Sequence, residues 1–466
     1  MATTARRGMS WVAMGLFSAS TVINFSNTGA LAEYGLGCIV LYVVPALVFL
    51  LPAAVVSAEL GSTWKGGIFE WVHEAFGERW AFSAAWQQWM QNVLFCPLLL
   101  SFVAGDLAFL IDPELARNGT FNAAVVVLCF GGATLVSMRG IRRAARFATI
   151  TAVVGIALPT LLLAVLAAVY LKSGHRSAVP LDRHHVVPPG HGFRGLVLVV
   201  GNFLAYGGVE VTAVHAREMR SPERGYPKSM ALMAILAFVV FVTSSLGTAI
   251  AVVNHRIVLS ASLMQAFDHY FRTFQVRWAT PIMASLYILA ALGTVVSWMS
   301  GPSHGMLAVG RRGLLPPFFQ RTNRQGAPTG VLAVQAALVM LIAAAFVVVR
   351  NVNEVYWVLE AATTELYIVM YVIMFLAAIR LRKVRASTHR GFRAPLLPAL
   401  AALGGVACAA GFVLGLLPPA ALPIHHHARY VVLLTLVVGS LSSVPFYLLA
   451  FRKADWAPVV ARTPVA

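Results

Sequence analysis

Apolar residues fall along this chain in long runs separated by short polar segments. Twelve runs are read at about 10–33, 36–60, 82–111, 120–138, 147–171, 194–215, 229–254, 278–308, 328–349, 354–380, 395–418 and 429–451. A bilayer's hydrocarbon core is crossed by about 20 apolar residues of helix. The pattern therefore predicts an all-α membrane protein of twelve transmembrane helices. At this length the loops are short, and 1–466 is expected to be a single transmembrane domain with no second folded unit.

Composition agrees with that class. The chain is 59% hydrophobic and 11% charged, with a mean hydropathy of +0.78. Soluble domains hold about 25% charged residues, so cytosolic enzymes, disordered tails and secreted disulfide scaffolds are excluded. The formal net charge of +18 suggests nucleic acid until the positions of the basic residues are considered. They cluster at the ends of the apolar runs. With the N-terminus in the cytoplasm, about 25 of the 35 Lys and Arg lie inside, as the positive-inside rule requires. Both termini are expected in the cytoplasm, with no nucleic-acid partner. Arg6 and Arg7 ahead of the first run resemble the start of a secretory signal, but the run is too long and lacks a cleavage site. Cys38, Cys96, Cys129 and Cys408 all fall inside runs and are read as small apolar residues rather than disulfide partners or metal ligands.

Two runs carry polar or small interruptions. The first contains Asn24-Phe-Ser-Asn-Thr-Gly-Ala30, and the sixth contains Ala205-Tyr-Gly-Gly-Val-Glu210. Small residues also let transmembrane helices pack closely. A break in lipid, however, survives only where the freed N–H and C=O groups find protein partners or a cavity, and breaks at matching positions of two halves mark transporter binding sites. One break in span one and one in span six predict a five-plus-five inverted repeat, about 10–171 and 194–380, with additional helices at about 395–451. The amides at Asn27, Thr28 and Gly29 would then offer N–H donors to a substrate carboxylate.

Further strings carry a resemblance. They are His215-Ala-Arg-Glu-Met, Ser221-Pro-Glu-Arg-Gly-Tyr-Pro227, Ser297-Trp-Met-Ser-Gly-Pro-Ser-His-Gly-Met306, Gly313-Leu-Leu-Pro316, Lys65-Gly-Gly-Ile-Phe-Glu-Trp71, Gly391-Phe-Arg-Ala-Pro395 and Gly411-Phe-Val-Leu-Gly-Leu-Leu-Pro-Pro419. With them the chain resembles, over nearly its whole length, the bacterial glutamate/GABA antiporter family of the amino acid-polyamine-organocation superfamily. The resemblance implies a leucine-transporter-type fold with broken helices 1 and 6, and an inner-membrane amino acid antiporter working by alternating access. It carries substrate contacts over to Asn27, Thr28 and Gly29, to Tyr206, Gly207, Gly208 and Glu210, and to Trp298 and Tyr367. No cofactor is implied. A proton- or sodium-coupled symporter is the alternative, with Ser297 and Ser300 as hydroxyl ligands.

The chain departs from the family pattern at charged positions. An acidic residue is expected four positions before the span-eight tryptophan, where this sequence has Thr294, which takes its place among the substrate-binding candidates, while Asp106, Glu360 and Glu365 lie in other spans. Carboxylates within a membrane are costly and mark coupling or gating groups, so Asp106 and Glu365 are candidates for that role. They also favour a neutral or amine-bearing amino acid over glutamate. Trp64, Trp86 and Trp89 are read as interface anchors. Gly301-Pro-Ser303-His-Gly305 matches a hydrolase elbow without its strand, which leaves an intramembrane serine protease as a remote alternative. His73-Glu74 begins a zincin motif, but position 77 is Gly; Asn118-Gly-Thr120 is a formal sequon.

Nine of the 13 histidines, namely His175, His184, His185, His191, His255, His269 and His425 to His427, map to the outer loops. Imidazole titrates near pH 6.5, so acidification adds positive charge around the outer mouth. If these loops sense acid, Gln at His184, His185 and His425 to His427 flattens the transport rate between about pH 5 and 7; a profile overlaying the wild type's removes them as the sensor.

Overall fold

The computed structural model describes residues 8–25, 28–182, 185–186, 205–252, 262–349, 352–416 and 427–456. Ten described helices are long and apolar enough to cross a membrane. They are α3 (Gly35–Thr63), α5 (Glu78–Ile111), α6 (Gly119–Met138), α7 (Arg143–Lys172), α8 (Pro222–Ala251), α10 (Arg277–Arg311), α11 (Thr329–Val348), α12 (Val358–Val384), α13 (Leu397–Gly415) and α14 (Tyr430–Ala450). Each overlaps one apolar run of the sequence. Span one is interrupted: α1 (Trp11–Val22) stops, and the chain resumes as the short α2 (Thr28–Ala32). The described part of span six begins at Ala205, loses helical form through Gly207 and Gly208, and continues as a 3-10 segment, Val211–Glu218.

Two shorter helices lie in connections that the apolar runs left as loops. α4 (Ile68–Phe76) is flanked by Gly67 at φ 71° and Gly77 at φ 85°. Both are left-handed conformations that glycine adopts without a Cβ clash. α9 (Ser262–Thr273) buries Leu263, Met264, Phe267, Tyr270 and Phe271. Span-length hydropathy misses such helices because their apolar residues occupy one face only.

The two irregular spans are fastened together at one end. Met9 pairs with Met219: the Met9 N–H donates to the Glu218 carbonyl at 2.8 Å, and the Arg220 N–H donates to the Met9 carbonyl at 3.2 Å. Further in, α1 lies against α8, with Gly15 facing Leu232. The long helices α5, α10 and α12 form the other wall. Within that wall Trp89 is fully buried and Trp86 is 8% exposed, its indole N–H donating to the Leu441 carbonyl at 2.8 Å. Both belong to the core and not to the membrane interface. Trp64 lies under the Arg390 guanidinium, 5.2 Å from its ring centroid. The four cysteines are free thiols.

Among the histidines that the sequence assigns to outer loops, His184, His191, His255, His425 and His426 lie outside the described residues, as does the side chain of His427. His185 Nδ1 is 2.7 Å from the Asp182 carboxylate, and His175 stacks on Tyr170. His269 contacts the Tyr170 hydroxyl at 3.2 Å. Burial pushes the His269 imidazole below its ordinary value, so it stays neutral to a lower pH than a solvated histidine.

One buried ion cluster ties α3 to the far end of α12 and the segment after it. Glu59 is completely buried, and its carboxylate accepts from Arg382 at 2.5 Å, from Arg390, and from the Ala394 N–H at 2.7 Å. A buried carboxylate is tolerated only when paired and hydrogen-bonded, and removing one partner leaves a charge without compensation. Arg390→Ala or Glu59→Ala is expected to cost about 3–5 kcal/mol. Thermal unfolding in detergent measures this, and a variant melting with the wild type excludes the cluster as a main tie.

Candidate functional site

The two interruptions meet, and their backbone groups are satisfied by each other's neighbourhood: Thr21 serves span six, and α10 and α12 serve the rest. α1 ends where Thr21 turns its hydroxyl toward span six: the Thr21 Oγ1–H donates to the Gly208 carbonyl at 2.9 Å and also reaches the Ser18 carbonyl at 2.7 Å. The Thr21 carbonyl, freed by the end of the helix, accepts from Trp298 Nε1–H of α10 at 2.8 Å. Gly208 has φ 105°, and a Cβ there would lie 2.7 Å from the Thr21 oxygen and 2.9 Å from the Trp298 ring. Position 208 therefore excludes a side chain on both conformational and steric grounds.

Glu210 sits at the centre of this junction, 1% exposed. Its Oε1 accepts from Gln88 Nε2–H of α5 at 2.8 Å and from the Tyr367 hydroxyl of α12 at 2.7 Å. Its Oε2 accepts from the Tyr371 hydroxyl at 2.6 Å. The same Tyr371 oxygen accepts from the Gly208 N–H at 3.0 Å. Both Glu210 oxygens are thus occupied by the protein, and the carboxyl group joins span six to α5 and α12. Aromatic rings pack around it, edge-on or tilted: the centroid of Trp298 lies 5.6 Å from that of Tyr367, Tyr367 lies 4.8 Å from Tyr371, and Phe95 lies 5.1 Å from Trp298.

The remaining candidates divide between this junction and other places. Tyr206 is fully buried on the opposite side, its hydroxyl donating to the Tyr42 carbonyl at 3.3 Å. Thr28 and Gly29 begin α2 and are buried. The Thr28 carbonyl accepts from Ser245, while its hydroxyl has no hydrogen-bond partner among the described residues. Asn27 lies outside the described residues. Thr294 and Asp106 line one cavity beside the first break, with Ile23, Asn24, Phe25 and Tyr287. Glu365 is not part of the junction. It is fully buried against Gly415 of α13, and neither oxygen has a hydrogen-bond partner among the described residues. The two-residue spacing from Tyr367 turns it to another face of α12. Glu360 is half-buried on the same helix.

Sequence reasoning missed the contribution of α5. Gln88 completes the Glu210 shell, and Gln87, Gln91 and Asn92 are buried beside it. The signal was available: Trp86-Gln-Gln-Trp-Met-Gln-Asn92 places four amide side chains inside an apolar run, where polar groups are costly unless they find partners.

The hydrolase pattern is not an active site. Ser303 donates to Gln335 Oε1 at 3.1 Å, whereas His215 approaches Ser300 at 3.3 Å. Glu70, His73 and Glu74 bring ligand atoms together, but Arg312 lies 2.9 Å from His73 Nε2 and 3.4 Å from Glu70, and Arg385 lies 3.0 Å from Glu74. Guanidinium groups hold the positions a cation would take.

The junction makes a graded prediction. Tyr371→Phe removes a donor from Glu210 and an acceptor from the Gly208 N–H, whereas Tyr367→Phe removes one donor only. Hydrogen bonds to charged groups contribute about 1.5–3 kcal/mol, so Tyr371→Phe is expected to lower stability by about that much and more than Tyr367→Phe. Melting temperatures in detergent test the order, and equal values for both variants contradict it.

Known proteins match this chain along most of its length. An amino acid permease family model covers residues 8–438. An uncharacterized transporter of Legionella pneumophila is 32% identical over 84% of this chain and 86% of its own. A glutamate/gamma-aminobutyrate antiporter of Lactococcus lactis is 30% identical over 81% of this chain and 76% of its own. A probable agmatine/putrescine antiporter of the same species is 25% identical over 76% and 75%. The extent of the family match and the level of identity settle the class: the chain is a transporter and not an enzyme, and it belongs to the amino acid permease family.

Proposed function

We propose that this protein exchanges one amino acid for a related amino acid, or for its decarboxylation product, across a bacterial inner membrane. In this reading α1 with α2, and the interrupted segment around Gly207 and Gly208, are broken helices 1 and 6 of a twelve-span, five-plus-five inverted repeat. Both termini are cytoplasmic. Spans one, two, six and seven rock as a bundle against the other helices, and substrate binds between them. The observation that carries the reading is the mutual contact of the two breaks through Thr21, Gly208 and Trp298. In lipid, irregular backbone persists where it is held by protein or lines a cavity, and paired breaks are the binding architecture of such transporters.

Within that frame the backbone and hydroxyl groups at Asn27, Thr28 and Gly29 receive the substrate carboxylate. The buried Thr28 hydroxyl, lacking a described partner, supports this, because such a group costs free energy until a partner arrives. Trp298 and Tyr367 close over the substrate, and Gly207 and Gly208 let it approach the backbone. Glu210 acts as the joint between the moving bundle and the helices α5 and α12. The names of the relatives, glutamate/gamma-aminobutyrate and agmatine/putrescine antiporters, support exchange of amino compounds.

Exchange is favoured over sodium-coupled symport by the engagement of the span-eight hydroxyls. Ser297 bonds to the Gly293 carbonyl and to Ser20, and Ser300 faces His215. They already have protein partners where a sodium ion would need ligands. Counterflow in proteoliposomes tests the reading. Labelled amino acid is expected to accumulate only when unlabelled substrate waits inside. Accumulation in empty vesicles driven by an imposed proton or sodium gradient establishes symport instead.

A further inference from the structure

The cavity beside the first break carries a chemistry that the junction does not. Its walls are mostly apolar: Leu99, Phe102 and Val103 come from α5, Ile156 from α7, Leu263 from α9, and Ala290 and Ala291 from α10. Three aromatic rings contribute, Phe25, Phe102 and Tyr287, and Phe25 meets Tyr287 edge to face at 5.1 Å. Asp106 is the single charged residue among those lining the cavity. It is half-buried, one turn or so from the end of α5, and makes no hydrogen bond or ion pair among the described residues. Two other buried carboxylates differ: Glu59 has two arginines, and Glu210 has three side-chain donors; Glu365, also without a hydrogen-bond partner among the described residues, is packed against Gly415 and does not line this cavity.

A carboxylate inside a membrane protein is costly and marks a partner that comes and goes or a wet cavity. The surroundings of Asp106 choose the partner's sign. Carboxylate and aromatic faces both attract cations, and an ammonium group held between them gains ion-pair and cation–π energy together. Among the described residues no lysine or arginine lines the cavity to receive an anion. The cavity also touches Ile23, Asn24 and Phe25 at the break itself, so a substrate lying from the break toward the end of α5 would bring its far end to Asp106.

We propose that Asp106, with Phe25, Phe102 and Tyr287, forms a subsite for the distal ammonium group of the substrate, so that the preferred substrates are amino acids with a cationic side chain or short aliphatic diamines. The proposal rests on the reading of the chain as an amino acid exchanger, and it names the substrate class for that exchanger. Thr294, opposite on α10, supplies a neutral wall that leaves Asp106 as the charge selecting the ligand.

Full-length protein in liposomes and in detergent tests this with lysine, its uncharged analogue norleucine, and 1,4-diaminobutane. Wild type is expected to bind and exchange lysine at least ~10-fold better than norleucine, since loss of a close charge partner costs at least that factor. Asp106→Asn should bring the lysine-to-norleucine ratio to about one, and Asp106→Glu should restore part of it. A wild-type ratio near one, with both amino acids exchanged, overturns the subsite and leaves the exchanger reading standing. A ratio unaltered by Asp106→Asn overturns it equally. Asp106-dependent binding of 1,4-diaminobutane without any counterflow supports the subsite and overturns exchange, while absence of both binding and counterflow overturns the two together.

Discussion

Everything around the centre of this protein depends on the need to satisfy backbone groups where two helices stop inside an apolar medium. A continuous helix meets that need within itself; an interrupted one must find donors and acceptors elsewhere. Here each break is satisfied by its neighbours: α1 and α12 serve span six, and α10 serves the end of α1. The Thr21 hydroxyl covers the Gly208 carbonyl, and Trp298 covers the Thr21 carbonyl. The close approach requires glycine at 208, and the approach in turn brings Glu210 to the tyrosines of α12. The aromatic cluster, the buried carboxyl group and the amide from α5 all follow from that first exchange of backbone partners.

Charge is distributed according to how each group is accommodated. Glu59 is neutralised by arginines at the edge of the helical core, and Glu210 is held by neutral donors within it. Asp106 faces a cavity, and Glu365 is packed against a glycine on the far side of α12. Four carboxylates of the same chemistry therefore sit in separate surroundings. The environment distinguishes them by the number and sign of the partners it offers.

The helices were legible in the sequence because a hydrocarbon-spanning run is long and its periodicity irrelevant. The interruptions were legible for a related reason, since Asn24 to Gly29 and Gly207-Gly208 are polar or conformationally loose where the surroundings are neither. Amphipathic α4 and α9 were missed because only one of their faces is apolar. Pair contacts were beyond reach: nothing in Trp86-Gln-Gln-Trp89 says that Gln88 and not Gln87 meets Glu210, or that the Trp86 indole meets a carbonyl of α14. Helical phase separated Glu365 from Tyr367, yet which face of α12 meets the junction is set by tertiary packing. The acidic residue of the candidate cavity was visible as an oddity in span three, but its neighbours from α7, α9 and α10 were not.

The Tyr371 hydroxyl joins a donor that cannot accept to an acceptor of which one oxygen has no other described partner. A backbone N–H can only donate, so the Gly208 amide fixes the phenolic oxygen as acceptor, and the phenolic proton goes to Glu210 at 2.6 Å in preference to the Tyr367 oxygen at 3.5 Å. The hydrogen-bond chain consequently has a direction, running from the peptide at the break, through the phenol, to the carboxyl group, and it cannot be reversed by rotating the hydroxyl. A peptide plane at position 208 that turned away would free the phenolic lone pair without freeing its proton. The main chain therefore dictates the orientation of the proton at the heart of the bundle.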